Sequence, residues 1–125
     1  MSLPLRDERG LSQSVQYAVI LPTVMLVTLG IIQAGVWLHG HNVAVRAAGA
    51  AADVARGSYG KWAEARDMAL TLASAGGLHD VRVEVTRGPG RVDVTVTAAA
   101  PLIFDLGLSR ITETASLPLE RVTRP

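Results

Sequence analysis

Charged residues are missing from a long stretch near the start of this chain. No Lys, Arg, Asp or Glu occurs between Gly10 and Val45, and charged residues make up only 18 % of the whole, against about 25 % in an average soluble domain. Cysteine is absent, which excludes disulfides and thiolate metal sites. Lys61 is the only lysine and the net charge is +1, so no basic surface for nucleic acid is indicated.

Within the uncharged stretch lies an unbroken apolar run, residues 15–38, whose 24 residues are mostly Leu, Ile, Val, Met and Ala. About 20 apolar residues in a helix cross the core of a bilayer. A helix buried inside a soluble protein must be covered all round, and the rest of the chain is too short for that. A cleaved secretory signal has a shorter apolar region, about 7–15 residues, ending in a small-x-small site. The run therefore predicts a single transmembrane helix.

Five residues within this run predict how the helix meets lipid and neighbours. Tyr17 and Trp37 are twenty positions apart, about 30 Å along a helix, which makes them membrane-interface residues at the two surfaces. Gly30 and Ala34 form a small-x-x-x-small pair that lets helices approach closely, and Gln33 can hydrogen-bond to a neighbouring helix. The alternative for these three is a flexible glycine and a tolerated amide.

Two helical segments follow from the residue periods beyond the membrane. Residues 42–56 are rich in alanine, the best helix former, and predict that the membrane helix continues as a stalk. Its narrow, smooth face comprises Ala44, Ala48, Ala51 and Ala55. Residues 57–60 break the helix. Residues 61–75 predict a second, amphipathic helix whose apolar face comprises Trp62, Ala65, Met68 or Ala69, and Leu72.

The period then changes from 3.6 to 2, which predicts strands. Valines alternate with polar residues over 81–86 and 92–97, on either side of Gly88-Pro89-Gly90, so a hairpin with one valine face is expected. The second helix is the expected cover for that face. Residues 101–108 form an irregular apolar loop, and residues 111–117 predict a third strand.

The predicted fold class is α+β, with a long N-terminal transmembrane and stalk helix, a second amphipathic helix and a small antiparallel sheet of about three strands. Three segments are expected: a leader-like segment over residues 1–10, the transmembrane helix and stalk over residues 11–56, and a small α+β domain over residues 57–125.

No set of residues predicts catalysis, a metal site or a cofactor. His39 and His41 are two apart, so they diverge on a helix and cannot ligate one metal as an i, i+4 pair would. His79 adjoins Asp80 at a turn before the first strand, but a His-Asp neighbour pair is common and indicates catalysis only together with a nucleophile. A non-enzymatic domain is therefore predicted.

The N-terminal motifs match a known pattern. Residues 6–10 read RDERG and residues 11–16 form a polar patch. Residues 17–22 then read YAVILP, and Gly30, Gln33 and Gly35 complete a G-x-x-Q-x-G motif. This arrangement resembles the TadE-like family, small pilin-like proteins of the tight-adherence (Flp pilus) assembly system. Actinobacterial members of that family look similar in three later features: the alanine-rich stalk, the AGGL of residues 75–78 before the valine strands, and the PLERV of residues 118–122.

The resemblance implies a pilin-like fold and a function. A prepilin peptidase would cut after Gly10 and leave Leu11 as the new N-terminus, with the leader in the cytoplasm and the small domain outside the cell membrane. Pilin-type proteins usually carry a Glu five residues after the cut, where this chain has Val15 followed by Gln16. The implied partners are other pilin-like subunits, inner-membrane pilus assembly proteins and the lipid bilayer.

Two functions remain open from the sequence. The first is a TadE-like minor pilin or pilus-assembly protein that acts by helix packing. The second is a stand-alone single-pass membrane-anchored extracytoplasmic binding domain.

Overall fold

The computed structural model describes residues 5–57 and 62–119, with side chains from residue 10 onward. Residues 1–4 of the predicted leader and residues 58–61 around the predicted helix break lie outside the described residues. The elements, in chain order, are helix α1 (Leu5–Ala55), helix α2 (Trp62–Ala75) and the strands β1 (His79–Gly88), β2 (Arg91–Ala99) and β3 (Arg110–Pro118). The predicted α+β fold with a long N-terminal helix is confirmed.

The chain divides into two compact units, Met1–Ala34 and Gly35–Pro125. The second unit contains the last part of α1 together with α2 and the sheet. The predicted stalk thus belongs, by its contacts, with the small domain.

The sheet is antiparallel with the strand order β1-β2-β3. On the inner face of the central strand, Val92, Val94 and Val96 are completely buried, as the alternation of valines predicts. The outer face is polar, and there Thr95 and Thr114 hydrogen-bond across β2 and β3 at 2.9 Å. The β1–β2 hairpin closes through two residues, Pro89 and Gly90.

Glycine is needed at the second position of that turn because φ at Gly90 is 79°. A φ above zero is strained for residues with a Cβ, and proline followed by glycine is the preference of type II turns.

The valine face of the sheet was predicted to be covered by the second helix alone. In the structure both helices, α1 and α2, pack on the sheet. A Cβ placed on Gly40 of α1 would lie 3.0 Å from Ile111 Cδ1 and 3.3 Å from Ala100 Cβ, so glycine allows close approach of the helix at this point. The predicted smooth face of Ala44, Ala48, Ala51 and Ala55 is buried, as are the adjoining Ala47 and Ala52. The alanine segment is therefore a core helix of the domain as well as a continuation of α1.

The predicted inner face of α2 is wrong in its large residues. Trp62, Met68 and Leu72 are about 40 % exposed, and the buried residues are Ala65, Ala69 and Ala73. These alanines belong to the same buried cluster as the alanines of α1. Small side chains face the core because the two helices and the sheet approach one another closely, which leaves no room there for indole or leucine side chains.

The C-terminus of α2 is closed by a Schellman motif. The amide of Leu78 donates to the carbonyl of Ala73 and that of Gly77 donates to Ser74, both at 3.1 Å, with Gly77 at a φ of 91°. Leu78 and Ala73 are both buried, which supplies the apolar contact that accompanies this motif. The adjacent Gly76 lies so close to α1 that a Cβ there would overlap the side chain of Val43.

Replacing Gly76 by Ala is expected to destabilise the domain, because the added methyl group overlaps the branched side chain of Val43. Overpacking of this kind costs about 1–3 kcal/mol. The free energy of unfolding, measured on the purified full chain in detergent by circular dichroism, tests this.

Gly49→Ala is the matched control. Gly49 lies inside α1 and a Cβ there meets nothing within 4 Å, so the substitution should stabilise by about 0.5–1 kcal/mol through helix propensity. Equal effects of the two substitutions would contradict the close contact at Gly76.

Candidate functional site: the apolar surface of the first helix

The first unit exposes an apolar helix surface from Leu11 onward. From Leu11 to Leu26 every large apolar side chain is more than half exposed, and Ile31 is 68 % exposed. Within the described residues, α1 is the one helix long and apolar enough to cross a membrane, and none of its most apolar 18-residue window is buried. A core helix of a soluble protein would be covered, so this surface suits a lipid or protein environment outside the chain.

Two threonine hydroxyls inside this segment are satisfied by the helix itself. The hydroxyl of Thr23 donates to the carbonyl of Val19 at 2.6 Å, and that of Thr28 donates to Val24 at 2.8 Å. Such bonds to the carbonyl groups of the preceding turn give each hydroxyl a hydrogen-bond partner in lipid, where no water is present. Pro22 lies inside α1 without ending it, as transmembrane helices tolerate.

The three residues predicted for helix packing lie on one side of α1. At 3.6 residues per turn, Gly30, Gln33 and Ala34 fall within about 100° of arc. Gly30 and Ala34 are exposed and Gln33 is half-buried. A Cβ at Gly30 would meet nothing within 4 Å, so this glycine has no packing reason within its own chain. The helix-packing role stays a prediction.

The predicted cleavage site lies within the helix. Gly10 and Leu11 are both part of α1 and both exposed, Leu11 to 67 %. Proteolysis favours exposed segments that can leave regular structure, so cutting after Gly10 would require the first turns of α1 to unwind. The role of this site stays a prediction.

The two predicted membrane-interface residues differ in their surroundings. Tyr17 is 60 % exposed. Trp37 is 38 % exposed, and its ring stacks on that of His41, with centroids 5.4 Å apart and planes 16° from parallel. Four positions apart on a helix, the two rings lie on the same side.

His41 joins this aromatic pair to the sheet. Its Nδ1 lies 2.8 Å from Oε1 of Glu113 on β3. Glu113 is the Cα partner of Val96 and so shares the inner face of the sheet with the buried valines. A carboxylate on that face needs a polar partner, and His41 provides it. One turn of helix thus connects Trp37, through His41, to the domain.

Sequence reasoning did not find the pairing of His41 with Glu113, although one signal was present. The inward positions of β3 are Ile111, Glu113, Ala115 and Leu117, and a glutamate interrupts an otherwise apolar face. Its partner cannot be read from the sequence, since it depends on how α1 lies on the sheet. The same holds for His39, whose Nε2 lies 3.2 Å from the carbonyl oxygen of Gly76.

Nothing in residues 5–57 and 62–119 forms a group of three or more His, Asp or Glu side chains suited to hold a metal ion.

A long apolar N-terminal helix that runs into a small α+β domain defines a membrane-anchored protein. The sequence model of the TadE-like protein family matches residues 12–53, so the family resemblance is confirmed over that part of α1. No curated protein and no solved structure matches the chain.

The contact between His41 and Glu113 is expected to stabilise the domain. Glu113→Ala and His41→Ala should each lower the free energy of unfolding by about 0.5–1.5 kcal/mol, because each leaves a partly buried polar partner unpaired. The double variant should lose less than the sum of the two, by at least about 0.5 kcal/mol. Chemical denaturation of the four proteins in detergent measures this coupling.

Two further variants sharpen the measurement. Glu113→Gln keeps an oxygen that accepts from His41, so it should cost less than Glu113→Ala. Glu84→Ala removes an exposed carboxylate from the outer face of β1 and should change the stability by less than about 0.5 kcal/mol. Strict additivity of the His41 and Glu113 effects would show that the contact does not contribute.

Proposed function

We propose that this chain is a TadE-like minor pilin or pilus-assembly protein of a tight-adherence (Flp pilus) secretion system. It is held in the cell membrane by α1, with its N-terminus in the cytoplasm and its small domain outside. It acts by packing α1 against the helices of other pilin-like subunits and against inner-membrane assembly proteins, and it is not an enzyme.

The observation that carries the proposal is the uncovered apolar surface of α1 in the stretch that matches the family. Between residues 11 and 32 every large apolar side chain except Leu29 is exposed, while the alanines that follow are buried in the domain. One helix thus presents large apolar residues outward and small ones to its own core. A membrane anchor requires only large apolar residues that face outward. Packing against another helix also requires small residues on one side of α1.

Gly30 and Ala34 supply those small residues. Association of helices in lipid depends on close packing and on hydrogen bonds between helices, because lipid tails are as apolar as leucine. A Cβ added at Gly30 would meet nothing within 4 Å, and an amide such as that of Gln33, on the same side, is a group that bonds across helices in lipid. This favours a partner helix over lipid at this side of α1.

The alternative function is a stand-alone single-pass membrane-anchored binding domain. It also uses α1 as a membrane anchor, but it gives no role to the side of α1 that carries Gly30 and Ala34. It requires no partner helix in the membrane and no peptidase. The two proposals differ in what happens when Gly30 is enlarged and when the leader is exposed to a prepilin peptidase.

Gly30→Leu is expected to reduce crosslinking of α1 to pilin-like partners at least several-fold while leaving membrane insertion intact. The larger side chain holds the partner backbone away, but leucine is favourable in lipid. Site-specific photocrosslinking from a neighbouring position in α1, in cells that express the assembly genes, measures the first effect. Resistance to carbonate extraction measures the second.

Gly35→Leu is the matched control. It makes the same change five positions away, about 140° around the helix, at a glycine that also meets nothing within 4 Å. Crosslinking should survive this substitution. Loss of crosslinking in both variants, or in neither, would show that the side defined by Gly30, Gln33 and Ala34 is not the packing side.

N-terminal sequencing of the mature protein tests the processed form of the proposal. In cells with an active prepilin peptidase the chain is expected to begin at Leu11, and Gly10→Val should block the cut. An intact Met1 in the unmodified protein would exclude processing and leave an unprocessed assembly protein or the binding-domain alternative.

A further inference from the structure

The loop between β2 and β3 exposes several large apolar side chains. Within residues 101–108, four large apolar side chains are more than half exposed: Ile103 at 56 %, Phe104 at 54 %, Leu106 at 76 % and Leu108 at 60 %. Leu106 is more exposed than any large apolar residue described on α1. Water-soluble domains rarely present such a contiguous patch without a partner.

This loop has a defined conformation. At its base the amide of Ala100 donates to the carbonyl of Ser109 at 2.8 Å, and the amide of Leu102 donates to that of Ala100 at 2.8 Å. At its tip the amide of Gly107 donates to the carboxylate of Asp105 at 2.9 Å, with φ at Gly107 of 82°. These bonds hold the loop in a shape that turns its apolar side chains outward.

The base of the loop lies beside α1 at the end of the apolar run. Ala100 and Ile111, which flank the loop, both pack against Gly40, and Gly40 is two residues after Leu38, where the run ends. Two or three residues of helix correspond to about 3–5 Å. The β1–β2 turn is at the other end of the sheet, about 26 Å away along β2.

We propose that residues 101–108 are a second membrane contact, which inserts into the interfacial layer of the bilayer from which α1 emerges. The proposal rests on the membrane anchorage put forward above and adds a lipid-binding role for the domain itself.

The chemistry of the loop fits a lipid surface. Leu, Ile and Phe side chains enter the headgroup and acyl boundary favourably, and Trp37, at the same end of the domain, is of the type that prefers this layer. Asp105 is the one acidic residue in the loop, and its carboxylate is bonded within the loop. Arg110, exposed at the start of β3, offers a cation for lipid phosphate.

Because the chain has no cysteine, single cysteines can be spin-labelled in the full-length protein. Leu106→Cys reports on the loop, and Thr86→Cys, exposed near the opposite end of the sheet, is the matched control. Met25→Cys reports on α1. Each labelled protein is reconstituted in vesicles of phosphatidylcholine and phosphatidylglycerol at several protein-to-lipid ratios, and its accessibility to oxygen and to a water-soluble nickel complex is measured.

The label at residue 106 is expected to favour oxygen over nickel several-fold more than the label at residue 86, at every protein-to-lipid ratio. Equal accessibility at 86 and 106, with the label at 25 in lipid, overturns the loop proposal and leaves the anchor standing. The loop proposal is also overturned if the label at 106 is protected from nickel only at high protein-to-lipid ratios. In that case the loop is covered by a second copy of the chain and not by lipid. A label at 25 that is exposed to water contradicts the anchor itself.

Discussion

Close packing of small side chains is the constraint on which the domain depends. Within the described residues, 11 of the 16 buried apolar residues are alanines, and the three largest side chains that are fully buried are valines. Each alanine removes little apolar surface from water, so stability must come from the number of contacts and from close approach of the backbones. Gly40 and Gly76 contribute to this close packing, since both are points where α1 approaches a neighbouring element.

The same constraint divides the residues of α1 by their surroundings. Large apolar side chains lie where nothing of this chain covers them, and alanines lie where the sheet and α2 do. A pattern of this kind needs no change in secondary structure between the two parts. It needs only a change in the size of the side chains, and the sequence makes that change after residue 38.

The periods of the sequence were sufficient to predict the elements but not their packing. The valine alternation predicted the hairpin and its buried face, and proline-glycine predicted the turn. The face of α2 could not be predicted from hydrophobicity, because Trp62 and Ala65 both count as apolar and only the closeness of neighbouring elements selects the alanine. The contact of His41 with Glu113 could not be predicted for a related reason. Which residue of a helix meets which residue of a sheet depends on how the helix lies on the sheet in the folded domain. Of the candidate site, the exposed apolar helix was predicted from length and missing charge.

The glutamate on the inner face of β3 has a further consequence. A helix faced with alanine methyl groups meets a sheet faced with valines, and contacts between methyl groups have no preferred direction, although the close approach at Gly40 limits how far the helix can slide. A carboxylate among those valines depends on the position of the helix, because it needs the imidazole of His41, which lies 2.8 Å from it, as its polar partner. Together with the close approach at Gly40, the pair therefore defines the alignment of α1 on the sheet, as single polar groups fix register in other apolar interfaces. It thereby also sets the height of Trp37 relative to the strands.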